Sequence, residues 1–98
     1  MKDFTKDATS LLELVGGKEN IKAVTHCVTR MRFVLVDESK ANIKDIEALP
    51  SVKGTFTQAG QFQVIIGNDV SEFYKDFAKV SGIEGVDKNA AKEVAKDN

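Results

Sequence analysis

Ile21-Lys22-Ala23-Val24-Thr25-His26-Cys27-Val28-Thr29-Arg30-Met31-Arg32-Phe33-Val34-Leu35-Val36 orders the rest of the chain. Residues 21–27 are a short run rich in β-branched types, which predicts a strand. Residues 30–36 alternate, with Met31, Phe33 and Leu35 on one side and Arg30, Arg32, Val34 and Val36 on the other, the period of a second strand. So few residues lie between them that the two must form a hairpin, with its turn at 27–29. Neither Asn-Gly nor Gly-Gly marks that turn. The chain reverses on Cys-Val-Thr, residue types that serve something other than turn propensity.

Upstream of the hairpin, Phe4, Ala8, Leu11, Leu12 and Val15 make an apolar stripe at helical spacing. Asp3 is placed to cap this helix and Gly16-Gly17 to stop it. Downstream, Asp37–Lys40 is a polar loop. Ile43, Ile46 and Leu49 then predict a short helix, capped by Asn42 and ended by Pro50. Residues 52–57 and 61–66 read as two further strands around an Ala59-Gly60 turn. Gly67-Asn68-Asp69 leads into a last helix carrying Val70, Phe73, Phe77 and Val80, ended by Gly82. The expected fold is α+β, in the order αββαββα. It has a four-stranded, largely antiparallel sheet with helices packed on one face. Residues 1–83 are expected to form this domain. Residues 84–98 hold two valines and no larger hydrophobe, and read as a flexible tail or linker.

Composition narrows the function. The 98 residues carry 14 basic and 15 acidic side chains, a net charge of −1. That balance argues against nucleic acid as a partner, which calls for a basic stripe. No apolar run approaches the ~18 residues of a membrane span, and Met1–Asp7 holds no apolar signal region, so a cytoplasmic location is expected. One cysteine excludes an internal disulfide, and one cysteine with one histidine cannot build a structural zinc site. There is no P-loop, paired carboxylate or Gly-rich nucleotide motif, so no metal or cofactor is expected.

Chemistry concentrates around Cys27. Successive N–H groups in a tight reversal can converge into an anion-binding concavity. Arg30 and Arg32, two apart on a strand, leave the same face about 6–7 Å apart along the backbone. A thiol between such amides and guanidinium groups is held toward the thiolate, its reactive form. The same surroundings suit a phosphoryl group on sulfur, because arginine offers planar paired donors to phosphate oxygens. Cys27 therefore reads as an oxyanion-binding nucleophile. The plainer readings are a small buried hydrophobe for the cysteine and a solvated strand face for the arginines. His26, adjacent on the strand, points to the opposite face and does not serve as base for the sulfur.

Gly16-Gly17 with Glu19-Asn20-Ile21, then His26-Cys27-x-Thr29-Arg30-x-Arg32-Phe33, resembles the enzyme IIB domain of the bacterial phosphotransferase system, glucose superfamily. The resemblance continues through Val52-Lys53-Gly54 and Gly60-Gln61-Phe62-Gln63-Val64-Ile65-Ile66-Gly67, covering about residues 5–82. It implies that Cys27 is the phosphorylated cysteine and that Val28 and Thr29 supply loop amides to the phosphate. It also implies that Arg30 and Arg32 help pass the phosphoryl group to sugar. The implied partners are a glucose-type IIA phosphohistidine domain as donor and a IIC membrane domain on the same polypeptide, which places the chain at the cytoplasmic face of the membrane. The isolated domain is expected to be a monomer. The stretch Gly54 to Gln63 is most similar to trehalose-specific members, with sucrose and β-glucoside members next. Two rival classes are an RNA-binding sheet, which would need outward aromatics on its central strands, and a thiol redox sensor, which would lack an intramolecular resolving cysteine.

Overall fold

The structure, a computed structural model, describes residues 3–83, so the expected tail at 84–98 lies outside the described residues. Helix α1 (Thr5–Leu14) leads through a single 3-10 turn (Lys18–Asn20) into strand β1 (Ile21–His26), which pairs with β2 (Arg30–Leu35). A second 3-10 turn (Glu38–Lys40) and helix α2 (Ile43–Glu47) lead to β3 (Gly54–Gln58), β4 (Gln61–Ile65) and helix α3 (Val70–Ser81). The strands form one antiparallel sheet in the order β1-β2-β4-β3. The second strands of the two hairpins are thus the inner pair, with Arg32 opposite Gln63 and Phe33 opposite Phe62. The helices lie on one face, and the α+β architecture read from the sequence holds.

Alternation decides which face is covered. Met31, Phe33, Phe62 and Val64 turn toward the helices, where Phe73 and Phe77 of α3 and Leu11 of α1 meet them in a fully buried core. Phe33 meets Phe77 edge-on at 5.4 Å between ring centroids, and Phe4 tilts against Phe73 at 5.5 Å. Such pairs add about 0.5–1.5 kcal/mol beyond the area they bury. No helix among the described residues is long and apolar enough to cross a membrane.

The elements depart from expectation at their ends. β3 starts at Gly54 rather than at 52, because the chain winds on beyond α2 and the Val52 N–H donates to the Leu49 carbonyl at 3.0 Å. Helix α2 buries Ile46 and leaves Ile43 exposed. Asn42 caps α2 as expected, accepting the Asp45 N–H at 3.2 Å; at α1 the cap position falls on Phe4 instead of Asp3, whose carboxylate accepts the Thr5 N–H at 2.9 Å from one residue further out. Ala59 (φ 53°) and Gly60 (φ 81°) both lie in the left-handed region, the backbone of a two-residue hairpin turn.

A polar knot ties α1 to the first hairpin. The amide of buried Asn20 donates to the carbonyls of Val15 at 2.7 Å and Asp37 at 2.9 Å, and accepts the Asp37 N–H at 2.9 Å. Gly16 must lack a side chain here: at φ 106°, a Cβ would lie 2.8 Å from the Asn20 amide nitrogen.

Candidate active site

The first hairpin reverses where expected, on Cys27-Val28-Thr29. The Cys27 N–H donates to the Arg30 carbonyl at 2.9 Å, closing a two-residue loop of Val28 and Thr29. External contacts supply what the turn residues do not. The Thr29 carbonyl accepts two N–H groups from the end of the neighbouring strand, Ile66 at 2.9 Å and Gly67 at 2.8 Å. On the other side, the Cys27 carbonyl lies 3.0 Å from Nδ1 of His26, and that contact requires the Nδ1–H tautomer to donate. The His26 ring packs on Tyr74 of α3 at 4.7 Å between centroids, and the Tyr74 hydroxyl donates to the Val24 carbonyl at 3.3 Å. His26 therefore belongs to the helix side of the sheet and acts on the shape of the loop.

Cys27 is half-buried at the end of the open face. Burial pushes its thiol up, but the Thr29 N–H, the Arg32 guanidinium and the Arg30 N–H together outweigh this and hold it below the usual thiol value. The cluster read from the sequence is thus brought together in part. The backbone N–H groups of Thr29 and Arg30 and the side chain of Arg32 are the groups that favour the thiolate. Val28 stands 83% exposed at the tip.

Arg30 behaves differently. Its guanidinium turns from the loop across the sheet, donating to Gln63 Oε1 at 2.8 Å and lying 5.9 Å over the centroid of the Phe56 ring. Arg32 donates to Gln61 Oε1 at 3.2 Å, and the Gln63 amide donates to that same oxygen at 3.3 Å. In the sequence Gln61 and Gln63 carry no site role: they fall in the strand expected at 61–66 and in a stretch of the family resemblance. Their partners stand about thirty positions away in sequence, so no local signal marks them.

The site has the parts for holding a tetrahedral anion on sulfur: converging N–H groups, one guanidinium at the sulfur and a second on the same face. No group of three or more His, Cys, Asp or Glu among the described residues could hold a metal ion. The open sides of the two central strands carry Arg30, Arg32, Val34, Gln61, Gln63 and Ile65, with no aromatic on which a base could stack.

The family model for the phosphotransferase system, EIIB, matches residues 9–42. The trehalose-specific EIIBC component of Escherichia coli (strain K12) is 50% identical over 94% of this chain and 20% of its own length. The trehalose-specific EIIBC component of Bacillus subtilis (strain 168) is 43% identical over 100% of this chain and 21% of its own length. The chain therefore spans about a fifth of the length of these curated relatives. The crystal structure of one domain of the PTS system, IIabc component, from Clostridium difficile superposes with a TM-score of 0.73 at 36% identity, covering 78% of this chain and 80% of that one. With a solved domain matched over most of its length and the cysteine hairpin inside the family match, the chain belongs to the EIIB family of the phosphotransferase system.

Proposed function

We propose that this domain carries a phosphoryl group on Cys27 between a protein donor and a sugar. In the first transfer the thiolate attacks the phosphorus of a phosphohistidine on a glucose-type IIA domain. The sulfur–phosphorus bond forms, the nitrogen–phosphorus bond breaks, and the imidazole keeps the electron pair. In the second, a sugar hydroxyl held by a IIC membrane domain on the same polypeptide attacks phosphorus. The sulfur leaves as thiolate and the hydroxyl proton passes to a base on the sugar side. Transfers of this kind depend on positioning and charge stabilisation more than on covalent help, which suits a site of amides and guanidinium groups.

The observation that carries the reading is the hairpin that closes on Cys27, its N–H bound to the Arg30 carbonyl and Arg32 paired with Thr25 beside it, with a thiol that the Thr29 N–H, Arg32 and the Arg30 N–H hold below its usual value against its burial. Trehalose is the proposed sugar, supported by the names of the two trehalose-specific relatives. The test is intact-mass analysis after incubation with phosphoenolpyruvate, the general phosphotransferase proteins and a glucose-type IIA domain. One phosphate on Cys27 is expected, and none on Cys27→Ser, whose hydroxyl stays protonated at neutral pH. An unmodified wild-type chain would overturn the reading. Sugar choice is read in the full-length membrane protein, where faster phosphorylation of sucrose or a β-glucoside than of trehalose would reassign it.

A further inference from the structure

Gln61 and Gln63 lie on the sheet face opposite the helices, yet they are only 3% and 5% exposed. Each turns its amide oxygen to an arginine, and the Gln63 amide nitrogen donates to the Gln61 oxygen, so the chain of donors runs Arg30 to Gln63 to Gln61, with Arg32 entering Gln61 from the other end. Only one arrangement of the two amides satisfies it. Flipping either would set an NH2 group against a guanidinium, donor against donor. The network gives the arginines different surroundings: Arg32, paired with Thr25 of β1, reaches Gln61 and is the guanidinium that favours the Cys27 thiolate, while Arg30 is drawn across β4 to Gln63 and the Phe56 ring of β3.

We propose that Gln61 and Gln63 are positioning residues that make the two arginines act in turn, Gln61 keeping Arg32 at the Cys27 sulfur and Gln63, with Phe56, keeping Arg30 aside until a phosphoryl group on Cys27 draws it over. This rests on the phosphotransfer reading above. A free thiolate carries one negative charge and is matched by one guanidinium. A phosphoryl group adds more charge and three acceptor oxygens, and competes for Arg30 better than a neutral amide and a ring face do. Arg30 is already tethered at the loop, since its carbonyl accepts the Cys27 N–H at 2.9 Å, so only its side chain has to move.

The test compares Gln61→Met, Gln63→Met and Gln63→Glu with the wild-type chain, each first checked for an unchanged fold by its amide spectrum. Three readouts are taken: the pH dependence of Cys27 alkylation, the rate at which a phosphorylated glucose-type IIA domain phosphorylates Cys27, and the NMR signals of the Arg30 and Arg32 side-chain Nε–H groups before and after phosphorylation. Gln61→Met should move alkylation to higher pH and slow phosphorylation about tenfold, as expected when a donor is displaced from its working geometry. Gln63→Met should leave alkylation where it is or move it to lower pH, because a released Arg30 can approach the sulfur. Phosphorylation should shift the Arg30 Nε–H signal in the wild type and not in Gln63→Glu, where a full charge retains the guanidinium. Wild-type alkylation profiles in both Met variants, or an Arg30 signal unmoved by phosphorylation of the wild type, would overturn the inference. A wild-type chain that accepts no phosphate would instead overturn the phosphotransfer reading, and the alkylation profiles would still judge the positioning of Arg32.

Discussion

Asn20→Ala removes the knot between α1 and the first hairpin, and its cost follows from the bonds lost. Asn20 is 2% exposed and makes three side-chain hydrogen bonds of 2.7, 2.9 and 2.9 Å. The bond to Val15 is fully buried, whereas the two to Asp37 are partly reached by water. At about 1 kcal/mol net for each neutral bond, the loss is about 3 kcal/mol, the fully buried Val15 carbonyl carrying the largest share. A domain of this size loses about 4–8 °C of melting temperature per kcal/mol, so a fall of about 12–24 °C is expected by calorimetry or circular dichroism. Asn20→Asp sharpens the test. It can still accept the Asp37 N–H, but it sets a carboxylate against two carbonyls, so at neutral pH it should be no more stable than Asn20→Ala. It should recover part of the loss in acid, where the protonated carboxyl can donate to one of them. Cys27 lies at the far end of β1, so alkylation of the folded variants at 20 °C should match the parent. A melting temperature within about 3 °C of the parent for Asn20→Ala, or an Asn20→Asp variant more stable than Asn20→Ala at neutral pH, would refute the reasoning.

Other outcomes are expected from the same contacts. Ala59→Asn should raise the melting temperature by a few degrees, because Ala59 sits at φ 53°, where asparagine is better tolerated; an unchanged or lower value would count against a strained turn. Alkylation of Cys27 should half-saturate at lower pH than that of an unfolded peptide of the same sequence, since the folded thiol is held below its ordinary value, and Arg32→Ala should move it back upward. By linkage, the thiolate's contribution to stability is present above the unfolded thiol value and lost as pH falls through the folded one, so Cys27→Ser should remove that part of the pH dependence of unfolding. His26→Phe keeps a ring against Tyr74 but gives up the donor to the Cys27 carbonyl. It should therefore slow phosphorylation of Cys27 and lower the melting temperature by about 4–8 °C, the loss of one hydrogen bond, and an unchanged rate would reduce His26 to packing.

Much of the fold is legible because one face of each element is apolar. The alternation of Met31, Phe33 and Leu35, repeated by Phe62 and Val64, fixes which side of the sheet meets the helices. The stripe on α1 and the phenylalanines of α3 fix what meets it. Ile43 at the start of α2 follows the same spacing and is nevertheless exposed, because a five-residue helix has little more than one turn to bury. Around the site, the thiol, the loop and the shared face of the arginines follow from strand geometry. Their separate directions do not, since Arg30 and Arg32 are equivalent by alternation and part company through distant partners, Gln63 and the Phe56 ring for Arg30 and Gln61 for Arg32. The hairpin turn escapes turn statistics for the same reason: the Thr29 carbonyl is bound by Ile66 and Gly67, far along the chain.

That doubly held carbonyl makes the Cys27 loop a fixed plug rather than a compliant tip. An enzyme with a cleft encloses its substrate and keeps water out by itself. Here Val28 stands out from the end of the sheet beside the sulfur, so under the phosphotransfer reading the walls that exclude water must come from whichever protein receives the plug. On that reading donor and acceptor meet the same loop backbone in succession and differ in where they find the Arg30 side chain, so their sockets share a form around the loop although their own folds need share nothing. Leakage of phosphate to water then becomes a property of a poorly seated pair, and the fidelity of the relay is set at the socket rather than at the sulfur.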